Sequence, residues 1–263
     1  MLRDIYKEIL SLASNHYISE PMAVGGVPRD MYLKIPSNTD IDITTNDADS
    51  PRLGVSLASS INAGFKMFED GHVSVYTDSG ALDFSGNFIS DKAVEFAREH
   101  HGMRDEGLSE VYSRDFTINT MHKNLLEDKL LDITGLAVRD LDDKIVRTIV
   151  APEICFEDDI RRIFRSINFA ARFNFEIDGL IVDYTRSNLS IISREMGRSL
   201  RDAFVTSIVA ESVASNSDKT LGYIVDMGLL PLIPLTGSFK DELISRKMIA
   251  KYLDDSTNFN ENI

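Results

Sequence analysis

Tryptophan is absent from this 263-residue chain, and cysteine occurs once, as Cys155. A single thiol excludes an internal disulfide and every multi-cysteine zinc site, which makes the cytoplasm the expected compartment. Long apolar runs are also missing. Nothing approaches the ~18 apolar residues that a membrane-spanning helix needs, and the opening stretch from Met1 to Leu10 has the pattern of an amphipathic helix rather than an apolar signal segment. A soluble protein is expected. Basic residues are in short supply, 28 against 42 acidic ones, for a net charge of −14. The average field therefore repels a polyanion, and any contact with nucleic acid has to be local. Arg161, Arg162, Arg165, Arg172, Arg186, Arg194, Arg198 and Arg201 crowd into about forty residues and can supply it, while acid gathers at 47–49, at 140–143 and in the C-terminal tail. With 43% apolar residues the chain can bury a substantial core in two or three compact units.

What is present is concentrated near the start: Val24-Gly25-Gly26-Val27-Pro28-Arg29-Asp30, then Asp40-Ile41-Asp42. Two glycines let a turn run close to an anionic ligand with backbone N–H groups pointing at it. On a strand, Asp40 and Asp42 leave from one face while Ile41 and Ile43 face the core. Two carboxylates so placed can hold one or two Mg²⁺ ions, with water and substrate phosphates completing the shell. The plainer alternative is an ordinary turn followed by a solvated strand edge.

The span resembles the first motif of the class II tRNA nucleotidyltransferase and bacterial poly(A) polymerase family: a glycine pair, Arg-Asp, then Asp-x-Asp. Pro28 departs from it and removes one N–H. Further matches follow. Asp83, in a hairpin formed by residues 71–85, stands where the resemblance to polymerase-β-type enzymes implies a third carboxylate beside the Asp-x-Asp strand; the alternative is a solvent-facing hairpin residue, and the usual following arginine is absent at Ser85-Gly86-Asn87. Residues 88–112, charged and mixed, are expected to be a mobile or loosely helical connection. Arg114-Asp115-Phe116-Thr117-Ile118-Asn119 is similar to the family's R-R-D-F-T-x-N-A block, with Ser113 replacing an arginine and Thr120 an alanine. By chemistry, Arg114 can fork onto phosphate oxygens, Asp115 can accept a ribose hydroxyl and Asn119 can bridge sugar and phosphate. Asp132 to Leu141 resembles the segment that joins head to neck, with one glycine missing.

From Glu157 to Phe173 the apolar residues recur with a helical period, and Asp159, Arg162, Arg165 and Phe169 fall three or four apart, on one face of the expected helix. A solvated ion pair is the plainer reading. The segment resembles the family's E-D-x-x-R-x-x-R motif, whose aspartate and arginine act as a protein template for cytosine and adenine. That likeness assigns Asp159 and Arg162 to base reading and Arg165 to the triphosphate, and Asn168 replaces a family arginine. The alternative register, Asp158 with Arg161, puts Arg165 and Phe169 out of step.

The resemblance covers about residues 20–235 and implies an α+β protein. A nucleotidyltransferase head with a small mixed or antiparallel sheet flanked by helices is expected over 1–150, an all-α neck over 151–215, and a shortened helical body with a polar tail over 216–263. It implies an enzyme that adds C and A from CTP and ATP to the 3′ end of tRNA, with Mg²⁺ held by Asp40 and Asp42, catalysis by Asp40, Asp42 and Asp83, and nucleotide held by Gly25, Gly26, Arg29, Arg114, Asp115, Asn119, Asp159, Arg162 and Arg165. The acceptor stem of tRNA is the expected partner and no membrane is involved. Poly(A) synthesis, partial CC or A addition, and a non-catalytic nucleotide- or RNA-binding module are the alternatives.

Overall fold

Apolar residues spaced by four, Ile5, Ile9 and Ala13, make the first helix, α1 (Leu2–Asn15), and drive one side of it onto the core. The computed structural model that contains it describes residues 2–36, 40–45, 49–69, 71–85, 89–127, 129–196, 203–234 and 237–249. Thr39, Asp47, Gly86, Asn87, Arg198, Leu200, Arg201 and the tail from Asp254 lie outside the described residues. Contacts divide the chain into two units, Met1–Leu141 and Asp142–Ile263.

After α1, the first unit runs β1 (Met22–Val24), α2 (Gly26–Tyr32), β2 (Ile41–Thr44), α3 (Ser50–Ser60), β3 (Gly64–Met67), β4 (Val73–Thr77), β5 (Gly80–Phe84), α4 (Asp91–His100), α5 (Ser109–Tyr112), β6 (His122–Asn124), β7 (Leu130–Leu131) and α6 (Ala137–Asp142). Among the described residues its seven strands form one mixed sheet in the order β3-β4-β5-β2-β1-β6-β7, in which only β2 and β5 run parallel. Alternation sorts the side chains. Ile41, Ile43, Val73, Val75, Leu82 and Phe84 make a core with Leu53 and Leu57 of α3 and Ile9 of α1. Gly54 lets α3 approach closely, since a Cβ there would sit 2.8 Å from the Phe84 ring. On the other face, register aligns Lys66, Ser74, Asp83, Asp42, Val24 and His122 in one row across six strands.

The segment expected to be a mobile or loosely helical connection contains two helices, α4 and α5, within residues 89–112. Ala93, Val94 and Ala97 bury one side of α4, and Ser90 caps the helix by accepting the Ala93 N–H at 3.3 Å. Its mixed charge lies on the solvent side, which hides the period.

In the second unit come β8 (Ile145–Val146), α7 (Pro152–Asp158), α8 (Arg162–Phe173), β9 (Glu176–Ile177), α9 (Gly179–Ser187), α10 (Leu189–Met196), α11 (Ala203–Asp226) and α12 (Gly237–Ser245). Among the described residues it is all helix apart from the short parallel pair β8–β9. Helix α8 buries Ile163, Phe164, Ile167 and Ala170 and packs on α11. At Asn216 (φ −160°, ψ 96°) α11 is interrupted, and the Asn216 side chain caps the second stretch by accepting the Lys219 N–H at 3.1 Å. Tyr223 of that stretch donates to Glu176 at 2.6 Å and accepts the Ile177 N–H at 2.8 Å, tying β9 to the helix. Burial, followed by the Glu176 hydrogen bond, pushes its phenol up to about 12. Among the described residues no helix is long and apolar enough to cross a membrane.

Candidate active site

The site begins at the end of β1, where Gly25 adopts φ +70° and ψ −117°, a conformation that suits glycine. Space imposes the same choice. A Cβ on Gly25 would lie 2.9 Å from Asp42 Oδ2 and 3.6 Å from Arg114 Nη1. The Asp-x-Asp carboxylate and the arginine of the second motif therefore meet across a glycine that leaves them room. Pro28 falls in the first turn of α2, where its missing N–H has no intrahelical acceptor to lose.

Asp40 and Asp42 are both exposed, with Ile41 between them buried. Asp42 pairs in register with Val24 on one side and Asp83 on the other. Asp83 is half-buried and accepts a short hydrogen bond from the Ser74 hydroxyl. Among the described residues no three His, Cys, Asp or Glu side chains gather closely enough to hold a metal ion unaided. An exposed oxygen pair beside an open glycine fits a hard divalent cation that brings water and phosphate oxygens as its remaining ligands.

Arg29 is 4% exposed, and its guanidinium is spent inside the protein: Nε and Nη2 donate to Asp30 Oδ1 at 2.8 and 2.7 Å, and Nη1 donates to Asn119 Oδ1 at 2.6 Å. Asn119 in turn donates through Nδ2 to Asp115 Oδ1 at 2.9 Å, which also takes the Phe116 N–H at 2.8 Å. This buried chain joins the first and second motifs, ninety residues apart. Next to it Arg114 donates through Nη2 to Glu110 Oε1 at 2.6 Å and through Nη1 to the Asn119 carbonyl at 3.4 Å. His122 is fully buried beside this pair, and burial, then the Arg114 charge, lower its pKa. Sequence reasoning quoted Asp30 in the first motif without giving it a role, and missed Glu110 and His122. The four-residue spacing of Glu110 and Arg114 was a usable signal; nothing local marks His122.

Departures from the family pattern have structural uses here. Ser113 is buried, donates to the Ser109 carbonyl at 2.7 Å and accepts the Ser90 N–H at 2.9 Å, fastening the start of α4 to α5. Asp132 accepts the Gly135 and Val138 N–H groups, each at 2.9 Å, and so sets the turn into α6.

In the second unit the expected single helix over 157–173 is broken. Helix α7 ends at Asp158, Asp159 is extended (φ −156°, ψ 105°), and α8 starts at Arg162. The cause is local: Asp159 accepts the Arg161 backbone N–H at 3.0 Å, an Asx-type turn that competes with the helix ladder. Asp159 and Arg162 are therefore not partners on one helical face. Asp159 holds Arg161 through Nε at 2.7 Å and Nη2 at 2.8 Å, whereas Arg162 lies 3.9 Å from Asp158 and donates to the Cys155 carbonyl at 3.2 Å. Arg165 lies over the Phe169 ring at 5.5 Å. Asn168, at the family's arginine position, donates to Ser212 at 3.2 Å and links α8 to α11.

Comparison with known proteins follows the same lines. Residues 22–147 match the family described as the Poly A polymerase head domain. The chain is 28% identical over 219 residues to the tRNA nucleotidyltransferase cca2 of Schizosaccharomyces pombe, covering 69% of this chain and 43% of that protein. It is 26% identical over 225 residues to the CCA-adding enzyme of Lactobacillus gasseri, covering 85% and 54%. A solved structure of a CCA-adding enzyme with ATP superposes with a TM-score of 0.67 at 20% identity, over 87% of this chain and 51% of that one. The chain thus spans about half the length of the relatives it matches.

Proposed function

On the match of residues 22–147 to the family described as the Poly A polymerase head domain, we propose that the chain is a template-independent RNA nucleotidyltransferase that adds C and A, from CTP and ATP, to the 3′ end of tRNA. The observation that carries the reading is the meeting of Asp42 and Arg114 across Gly25. A carboxylate that would serve a metal and a guanidinium that would serve phosphate both border the same side-chain-free position of the turn. The names of the similar proteins, all of them CCA-adding or tRNA nucleotidyltransferases among those compared above, support the substrates.

Asp40 and Asp42 would hold one or two Mg²⁺ ions, whose charge would neutralise the triphosphate and favour ionisation of the attacking 3′-hydroxyl. Asp83, braced by Ser74, would complete the carboxylate row. Arg114 would bind phosphate oxygens through its fork, and Gly25 and Gly26 would leave the backbone N–H groups accessible to them. Asp115 and Asn119 would meet the sugar, their orientation set by the buried Arg29. Attack on the α-phosphate forms the new phosphodiester and releases pyrophosphate. Asp159 and Arg162 would read the amino group and ring acceptors that cytosine and adenine share, with Arg165 on the triphosphate; Arg161 would then have to release Asp159.

The test is incubation with Mg²⁺, each labelled nucleoside triphosphate in turn, and tRNA lacking its last one, two or three nucleotides. Two C followed by one A supports the proposal. Long A tracts would replace it with poly(A) synthesis, C alone or A alone with a partial activity, and no incorporation with a binding module. Asp40→Ala should abolish incorporation without unfolding the protein, and Asp159→Ala should relax base choice more than it slows addition.

A further inference from the structure

Three buried polar atoms without a hydrogen-bond partner belong to one group around Arg114: its own Nε, Oε2 of Glu110 and Nε2 of His122. The first two are the unused half of a fork. Arg114 engages Glu110 by Nη2 alone, although Nε–H and the second carboxylate oxygen are the natural other arm of that contact. His122 supplies a complementary group. Its Nδ1 lies 3.1 Å from the Thr120 carbonyl, which can only accept, so Nδ1 carries the proton and Nε2 of the neutral ring presents a lone pair. Both the burial of the ring and the neighbouring Arg114 charge favour that neutral form. A buried donor and a buried acceptor left bare each carry a desolvation cost, so an arrangement that joins them is favoured whenever the guanidinium turns.

Resting on the nucleotidyltransferase reading, we propose that His122 is a positioning residue for Arg114: its Nε2 accepts the Arg114 Nε–H when the guanidinium leaves Glu110 for the triphosphate of the incoming nucleotide. Anchored at Nε, the planar fork can direct both terminal nitrogens at phosphate oxygens in a fixed orientation. The row of registered strands supports this placement, because His122 on β6 and Asp42 on β2 flank Val24 and leave from the same face of the sheet. Glu110 holds the arginine when no nucleotide is bound, and His122 holds it when one is.

Two variants separate this role from packing. His122→Asn keeps a donor near the Nδ1 position for Thr120 and loses the acceptor, whereas His122→Gln carries an amide oxygen to the Nε2 position. The KM for ATP and CTP should rise about tenfold in His122→Asn, the loss expected for one hydrogen bond to a charged group, with a smaller change in kcat. His122→Gln should bring KM back to within about threefold of the parent protein. In the parent, ¹⁵N NMR should show the His122 Nε2 resonance move towards the hydrogen-bonded range when a non-hydrolysable ATP analogue and Mg²⁺ are added. An unchanged KM in His122→Asn, a His122→Gln variant as poor as His122→Asn, or an Nε2 resonance indifferent to nucleotide would each overturn the proposal. A parent protein that binds the analogue and moves the resonance yet incorporates nothing would sink the nucleotidyltransferase reading alone.

Discussion

Gly25→Ala places one methyl group where two demands converge. Its backbone, at φ +70° and ψ −117°, is strained for any residue with a Cβ, at a cost of about 1–3 kcal/mol. The new carbon would also stand 2.9 Å from Asp42 Oδ2, closer than carbon and oxygen tolerate, so the carboxylate has to retreat. Together these predict a loss of roughly 2–3 kcal/mol, or a fall in melting temperature of about 5–10 °C for a unit of this size. Activity should suffer out of proportion, because a shift of ~1 Å in a group that positions the reactants can cost ~10²-fold. The assay is nucleotide incorporation well below the melting transition, alongside thermal denaturation followed by circular dichroism. Gly71→Ala is the control, since Gly71 has φ +88° but nothing within 4 Å of its would-be Cβ. It should lose stability and keep activity. Full incorporation by folded Gly25→Ala, or an equal loss of activity in Gly71→Ala, would refute the argument that Gly25 exists to make room for Asp42.

Gly54→Ala should push α3 away from Phe84, 2.8 Å from the added carbon, and lower stability by about 1–3 kcal/mol; an unchanged urea midpoint would contradict that packing. Arg29→Lys retains the charge but cannot serve Asp30 and Asn119 together, so about 2 kcal/mol should be lost, together with much of the nucleotide affinity, measured by urea denaturation and by titration with a non-hydrolysable analogue. Tyr223 gives a pH test. Its phenol is raised to about 12, above the ordinary value of 10.0, so the folded state holds the proton more tightly. Its contribution is complete below pH ~10 and fades as the pH rises through about 12. The gap in urea midpoint between the parent and Tyr223→Phe should therefore narrow across that interval, and a constant gap would exclude the linkage.

Gly25, Asp42 and the Arg114–Asn119 block can be recognised from sequence because the proposed approach to phosphate and metal would restrict residue choice over short spans. The hairpin that brings Asp83 to β2 is legible through alternation on either side of a turn, although the turn itself is only Asp78 and Ser79. Other features depend on partners far away in the chain. Arg29 reads as a nucleotide ligand in isolation, yet it is buried on Asp30 and on Asn119, ninety residues later. Asp159 reads as part of a helix because the apolar period continues past it. Its short carboxylate instead bonds the backbone two residues on, and periodicity carries no trace of that competition.

The sheet's one parallel pair has a consequence for the order of events in folding. Asp42 and Asp83 become neighbours only when β5 docks beside β2, with α3, β3 and β4 all closed in the intervening loop. Gly25 and Arg114 come from still more distant segments, so the reactive groups assemble from strands and turns spread over some ninety residues. Such non-local contacts form late, after the entropy of loop closure has been met. A nascent, nicked or partly unfolded head consequently carries each carboxylate and arginine without the arrangement on which the proposed chemistry rests. The proposed activity is in this way tied to the integrity of the whole first unit.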